Sequence, residues 1–174
     1  MAPIGLEQIA ALVQPFADLY ANSKALSATT TVVHLGGLLG GGGLAIATDR
    51  TVLRTSKFDG LAQRNVLTDL SSTHRLVVTA LVAIVLSGLV FLSADIKTFG
   101  VSRVYWTKMA VVGLLLLNGL RLWGIESRLK ASAALGDEIE PLPDNEWRAL
   151  RQSATVSLLF WFSIMTLGVV LANS

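Results

Sequence analysis

Residues 34–50 read HLGGLLGGGGLAIATDR. Six of the eight positions from Gly36 to Gly43 are glycine, and His34 is one of only two histidines in the chain. The stretch lies within a longer apolar run, Leu26–Thr48, LSATTTVVHLGGLLGGGGLAIAT. A bilayer-spanning helix needs about 20 mostly apolar residues, so the run reads as a membrane span. Within a span, glycine marks close helix packing, and both Gly36-x-x-x-Gly40 and Gly37-x-x-x-Gly41 fit the small-xxx-small pattern.

Three further runs qualify: Leu76–Ala94, LVVTALVAIVLSGLVFLSA; Val104–Trp123, VYWTKMAVVGLLLLNGLRLW; and Ala154–Ala172, ATVSLLFWFSIMTLGVVLA. The fold class is therefore all-α, a bundle of four transmembrane helices over 26–48, 76–94, 104–123 and 154–172, forming a single domain. Composition agrees: 52% of the 174 residues are hydrophobic and 15% charged, against about 25% charged in soluble domains. Mean hydropathy is +0.60.

Charge sets the orientation. The connections 49–75 and 124–153, with the adjoining Arg121, hold ten of the fourteen Lys and Arg residues; the other side has Lys24, Lys97, Arg103 and Lys108. The positive-inside rule places those two long loops in the cytoplasm and both termini outside. Net charge is +2, but no basic patch carries interleaved aromatics, which argues against a nucleic-acid partner. The absence of cysteine excludes disulfides, thiolate metal sites, iron–sulfur clusters and covalent c-type haem. The segment MAPIGLEQIAALVQPF lacks a basic n-region and a small-residue cleavage site, so insertion is expected to rely on the first span.

Before that span, Leu6, Ile9, Val13, Phe16 and Tyr20 form an apolar stripe at helical spacing. This predicts an amphipathic helix over 5–22 on the outer membrane surface, kinked near Gln14 by Pro15. The third span is expected to continue through IESRLKASAALG, with a Glu126–Lys130 pair at i,i+4 and Gly136 as a stop. DEIEPLPDNEW reads as an acidic turn, with Asp144 as N-cap of the helix that becomes the fourth span.

The run of features formed by TTTVVHLGGLLGGGGLAIATDR, SGLVFLSAD and VYWTKMAVVGLLLLNGLRLW resembles an uncharacterised bacterial family of four-helix membrane proteins. It is more loosely similar to the membrane domain of copper-resistance D-type proteins. The resemblance covers roughly residues 5 to 124. It departs at Asp49-Arg50-Thr51, where the family pattern has Leu before Arg. It implies the four-helix architecture and a bacterial inner membrane, and it draws attention to His34, Asp49 and Lys108.

An ionisable residue within a span is costly and is a functional-site hypothesis by default. A haem held between His34 and His74 is disfavoured by depth. His34 lies about 4–5 Å outward of its span's centre and His74 roughly 16 Å inward of its own, at 1.5 Å per residue. Two axial ligands must approach within about 4 Å, twice a metal–nitrogen bond. His74 reads instead as interfacial, near Arg75. On His34's face follow Gly37, Gly41 and Ala45, a flat wall for a ligand or a second helix. Met109 and Met165 fall in the same half of the membrane, and a His/Met pair is a known haem ligation; Met in a span also fills gaps. Lys108 can neutralise a haem propionate, donate to a quinone oxygen, or snorkel outward. Asp49 and Arg50 cap the first span or pair with Arg121, and Asn118 reads as an interhelical hydrogen bond.

Two functions are therefore expected. One is a redox-linked electron-transfer subunit holding haem b or quinone at His34, Gly37, Gly41, Lys108, Met109 and Met165, with His34 as the metal ligand. The other is an accessory subunit whose glycines and apolar faces meet other membrane subunits or a second copy. A nucleophile with a placed base, a chain of buried carboxylates and a pair of broken spans are all missing. Enzymatic activity of the chain alone is therefore not expected, and a small transporter or oligomeric channel comes last.

Overall fold

The computed structural model describes residues 4–136 and 140–173. The described residues form helices with short connections and no strand. Four helices are long and apolar enough to cross a membrane: Lys24–Arg54, Gly60–Ala94, Arg103–Leu135 and Asp144–Ala172. We refer to them as the first to fourth spans. They alternate in direction, so the start of the first span at Lys24 and the end of the fourth at Ala172 lie at one end, the terminal side; the turn 55–59 and the start of the fourth span at Asp144 lie at the other, the loop side. The chain is a multi-pass, all-α membrane protein.

Short polar residues start these helices. The Ser23 Oγ accepts from the Leu26 amide at 3.2 Å, Asp59 Oδ1 from Ala62 at 2.9 Å and Ser102 Oγ from Tyr105 at 3.3 Å. Each satisfies an amide that the helix itself leaves unpaired. Asp144 does not take the expected N-cap position: Pro143 occupies it, and Asp144 is the first helical residue, where its charge faces the positive end of the helix dipole. Gly136 ends the third span as expected, and Lys130 pairs with Glu126 at 2.6 Å. Of the acidic turn, Asp137, Glu138 and Ile139 lie outside the described residues.

The expected loop 49–75 is mostly helix, while in 124–153 the helix to Leu135 and the helix from Asp144 follow the expectation. The first span continues to Arg54 and the second begins at Gly60, leaving five residues to turn. At 1.5 Å per residue the second span is about 52 Å long, well beyond a hydrocarbon core of about 30 Å. The protruding ends pack into a core of their own. Val52, Val66, Leu70, Ile125, Leu129, Trp147 and Leu150 bury one another on the loop side. The buried Gln63 ties this core to both connections: its Nε2 donates to the Lys57 carbonyl at 3.3 Å, and its Oε1 accepts from the Leu142 amide at 2.7 Å. A second core of Ala45, Ile84, Val112, Leu115, Trp161 and Ile164 lies between the spans. There Asn118 donates to the Ser153 carbonyl at 3.0 Å and accepts from the Ser153 hydroxyl at 2.9 Å, joining third and fourth spans as its mid-span position predicted.

The N-terminal helix, Ile4–Asn22, docks against the terminal ends of the first and second spans. It runs on through Pro15 rather than ending there. Ala10 is buried; Val13, Phe16 and Tyr20 are half-buried, with Tyr20 edge-on to Phe91 at 6.4 Å. Ile9, expected on the inner stripe, is half exposed, and the side chain of Leu6 lies outside the described residues.

Candidate functional site

The glycine-rich stretch forms one uninterrupted helix with a π-helical turn at Leu38–Gly42. Wider turns of this kind concentrate at functional sites and re-aim the residues around them. Here the turn gives adjacent glycines different neighbours. A Cβ on Gly37 would stand 2.8 Å from Ile84 Cγ1, and one on Gly41 would overlap the Ala80 methyl. A Cβ on Gly42 would stand 3.0 Å from the Trp161 ring of the fourth span. At Gly36, Gly40 and Gly43 it would meet open space. Of the two overlapping small-xxx-small pairs, Gly37/Gly41 closes the contact with the second span, and Gly36/Gly40 faces outward. Gly37 and Gly41 thus have a helix against them, not a ligand wall.

His34 lies one turn before this contact and lines a small apolar cavity of about 90 Å³ on the terminal side, together with Gly88, Phe91, Tyr105, Lys108 and Met109. Three of the residues singled out in the sequence therefore converge: His34, Lys108 and Met109. Met165 does not line the cavity, nor do Gly37 and Gly41. The minimal side chain at the wall is Gly88 of the second span; a Cβ added there would come within 3.9 Å of His34 Cε1.

Ser87 fixes the histidine. Its hydroxyl donates to the Ala83 carbonyl at 2.6 Å, a bond that Ser makes readily within a helix. With the hydroxyl proton on that carbonyl, Oγ is placed to accept from Nδ1–H, 2.8 Å away, in the tautomer that leaves Nε2 unprotonated. Nε2 then carries the free lone pair, and Phe91 braces the ring edge-on at 5.3 Å. This is the arrangement of a histidine held in one tautomer so that its other nitrogen can act. Lys108, half-buried, has no hydrogen bond or ion pair among the described residues; its Nζ is 3.5 Å from where a Cβ on Gly168 would lie.

Ser87, Gly88, Phe91 and Tyr105 were missed in the sequence. Ser87 had a detectable signal, as a hydroxyl in the second span at a depth close to that of His34. The aromatic residues had none, since aromatics are ordinary in a membrane segment.

No group of three or more His, Cys, Asp or Glu able to hold a metal occurs among the described residues.

His74 lines a different and larger cavity, of about 530 Å³ on the loop side, together with Asp49. Asp49 is buried and makes no ion pair with Arg121 or any other residue described; Arg50 and Arg121 are exposed. The buried core around Trp161, Ile84 and Val112 lies between the two cavities.

Fold and cavities together define a four-span helical membrane protein with a histidine–lysine site at one end and a buried carboxylate at the other. No protein-family model matches the chain. Nor does any curated protein, or any solved structure.

Proposed function

We propose that this chain is a membrane subunit that binds the head group of a quinone-type lipid on its terminal side. The observation that carries this reading is the convergence of His34 and Lys108, unpaired among the described residues, on one apolar cavity. A quinol presents two oxygens on a flat ring. His34 Nε2 accepts one hydroxyl, the Lys108 ammonium donates to the other oxygen, and the ring lies against Gly88 and Phe91. Met109, long and flexible, swings aside to admit the ring. The isoprenoid tail stays in the bilayer.

The orientation follows from the distribution of Lys and Arg, ten of which sit on or near the loop side. That side is cytoplasmic and both termini are outside, in a bacterial inner membrane by the resemblance noted above. The quinone site is then in the outer half.

The test is titration of the purified chain in nanodiscs with a short-tailed quinone and its quinol. Binding is expected, with at least a tenfold loss in His34→Ala and in Lys108→Met. No binding of either redox form, or binding that both variants leave unchanged, overturns the reading. A Soret band in the same preparation, lost in His34→Ala, would point to haem in place of quinone.

A second reading, an accessory subunit of a larger membrane complex, is favoured by the outward glycines. Gly36, Gly40 and Gly43 face open space on a span whose apolar window is only 28% buried. Substituting Gly40→Leu should then disrupt co-purification with partner subunits while leaving the isolated bundle folded.

A further inference from the structure

The loop-side cavity has a different chemistry. The second and third spans touch sparsely, and the space of about 530 Å³ opens along them. Its rim carries Val78, Leu120 and Trp123, all well exposed on the faces these spans turn outward. Its floor holds Asp49, Ser157 and Trp161. Asp49 is 3% exposed, and its Oδ2 has no hydrogen-bond partner. The Ser157 hydroxyl lies beside the carboxylate, but no cation among the described residues pairs with it. His74 lines the same cavity without pairing with Asp49. The neighbouring Arg50 is exposed.

Taking a carboxylate out of water without a partner is expensive. A cation that enters the cavity offsets that cost directly. The volume falls in the range of small-molecule sites, roughly 300–1,000 Å³, far more than a bare ion fills. The walls are apolar, and indole faces attract cations.

We propose that this crevice binds a lipophilic ammonium ion that enters sideways from the bilayer. The cationic nitrogen sits on Asp49, and the apolar body lies between the second and third spans against Trp161. A neutral amphiphile of the same shape fills the volume but leaves the carboxylate unanswered, so charge is what the site selects.

The test uses the full chain in nanodiscs of zwitterionic phosphatidylcholine. The probes are (4-phenylbutyl)trimethylammonium and its neutral carbon isostere, in which tert-butyl replaces the trimethylammonium group. Wild type is expected to bind the cation at least tenfold more tightly than the isostere. In Asp49→Asn that preference should vanish. Val78→Trp, at an exposed rim position, should weaken the cation at least tenfold by filling the entrance. Equal binding of the two probes by wild type, or no binding of either, overturns the proposal. So does a preference that survives Asp49→Asn, or cation binding that Val78→Trp leaves intact. Should Asp49→Asn fail to fold, the probe pair and Val78→Trp still decide the matter.

Discussion

The Ser87 hydroxyl, 2.8 Å from His34 Nδ1, favours the tautomer that leaves Nε2 free to act. In Ser87→Ala the Nδ1–H loses its acceptor and the ring its fixed tautomer. Quinol binding is expected to weaken about five- to tenfold, on the order of 1 kcal/mol for one hydrogen bond, with helicity unchanged by circular dichroism. Glycines only a few positions apart should behave oppositely. Gly41→Leu drives a side chain into Ala80 and should cost ~1–3 kcal/mol, as overpacking does. Gly36→Leu points into open space and should leave the thermal midpoint in detergent close to wild type. If both variants melt alike, the packing assigned to the π-helical turn is wrong.

At the scale of elements, the spans are longer than their apolar segments, and the surplus builds a second core. An apolar window sees only the residues that must face lipid. The stretch 60–75, GLAQRNVLTDLSSTHR, has ten polar residues in sixteen, a composition that predicts loop. It is helix because Val66, Leu67 and Leu70 find Ile125, Leu129 and Trp147 across the bundle. That pairing is non-local and has no counterpart in a hydropathy profile. Gln63 is the polar centre of this core, bonded to both connections. Gln63→Leu leaves the Leu142 amide buried and unpaired, which should destabilise the loop-side core by about 1–3 kcal/mol. Limited proteolysis should then cut within 55–59 faster than in wild type, while the bilayer-buried helices stay protected.

For the whole molecule, the alternating spans put Lys24 and Ala172 at one end and the turn 55–59 and Asp144 at the other. Because the chain has no cysteine, single-cysteine labelling is free of background. A membrane-impermeant maleimide should label Asn22→Cys in intact cells and Lys57→Cys only in inverted vesicles. The reverse pattern would turn the quinone site to the cytoplasmic half. The two cavities, separated by the core around Trp161, lie at opposite ends of the bundle. A ligand at His34 and an ammonium ion at Asp49 therefore have no shared contact through which to compete.

The sequence by itself determined the class. Four apolar runs of sufficient length, separated by charged connections, leave the backbone no option in a bilayer but helix, since only helices satisfy every amide internally. It also marked His34, Lys108 and Met109, because polar or unusual residues are conspicuous against an apolar background. What it could not determine was which neighbour each residue meets. The repeat of a helix tells which residues share a face, not what that face touches. The close packing of Gly37 and Gly41, the Ser87 bond that frees Nε2, and the burial of Asp49 without a cation all depend on spans distant in sequence. Only the tertiary structure, which sets how the helices rotate and separate, decided them.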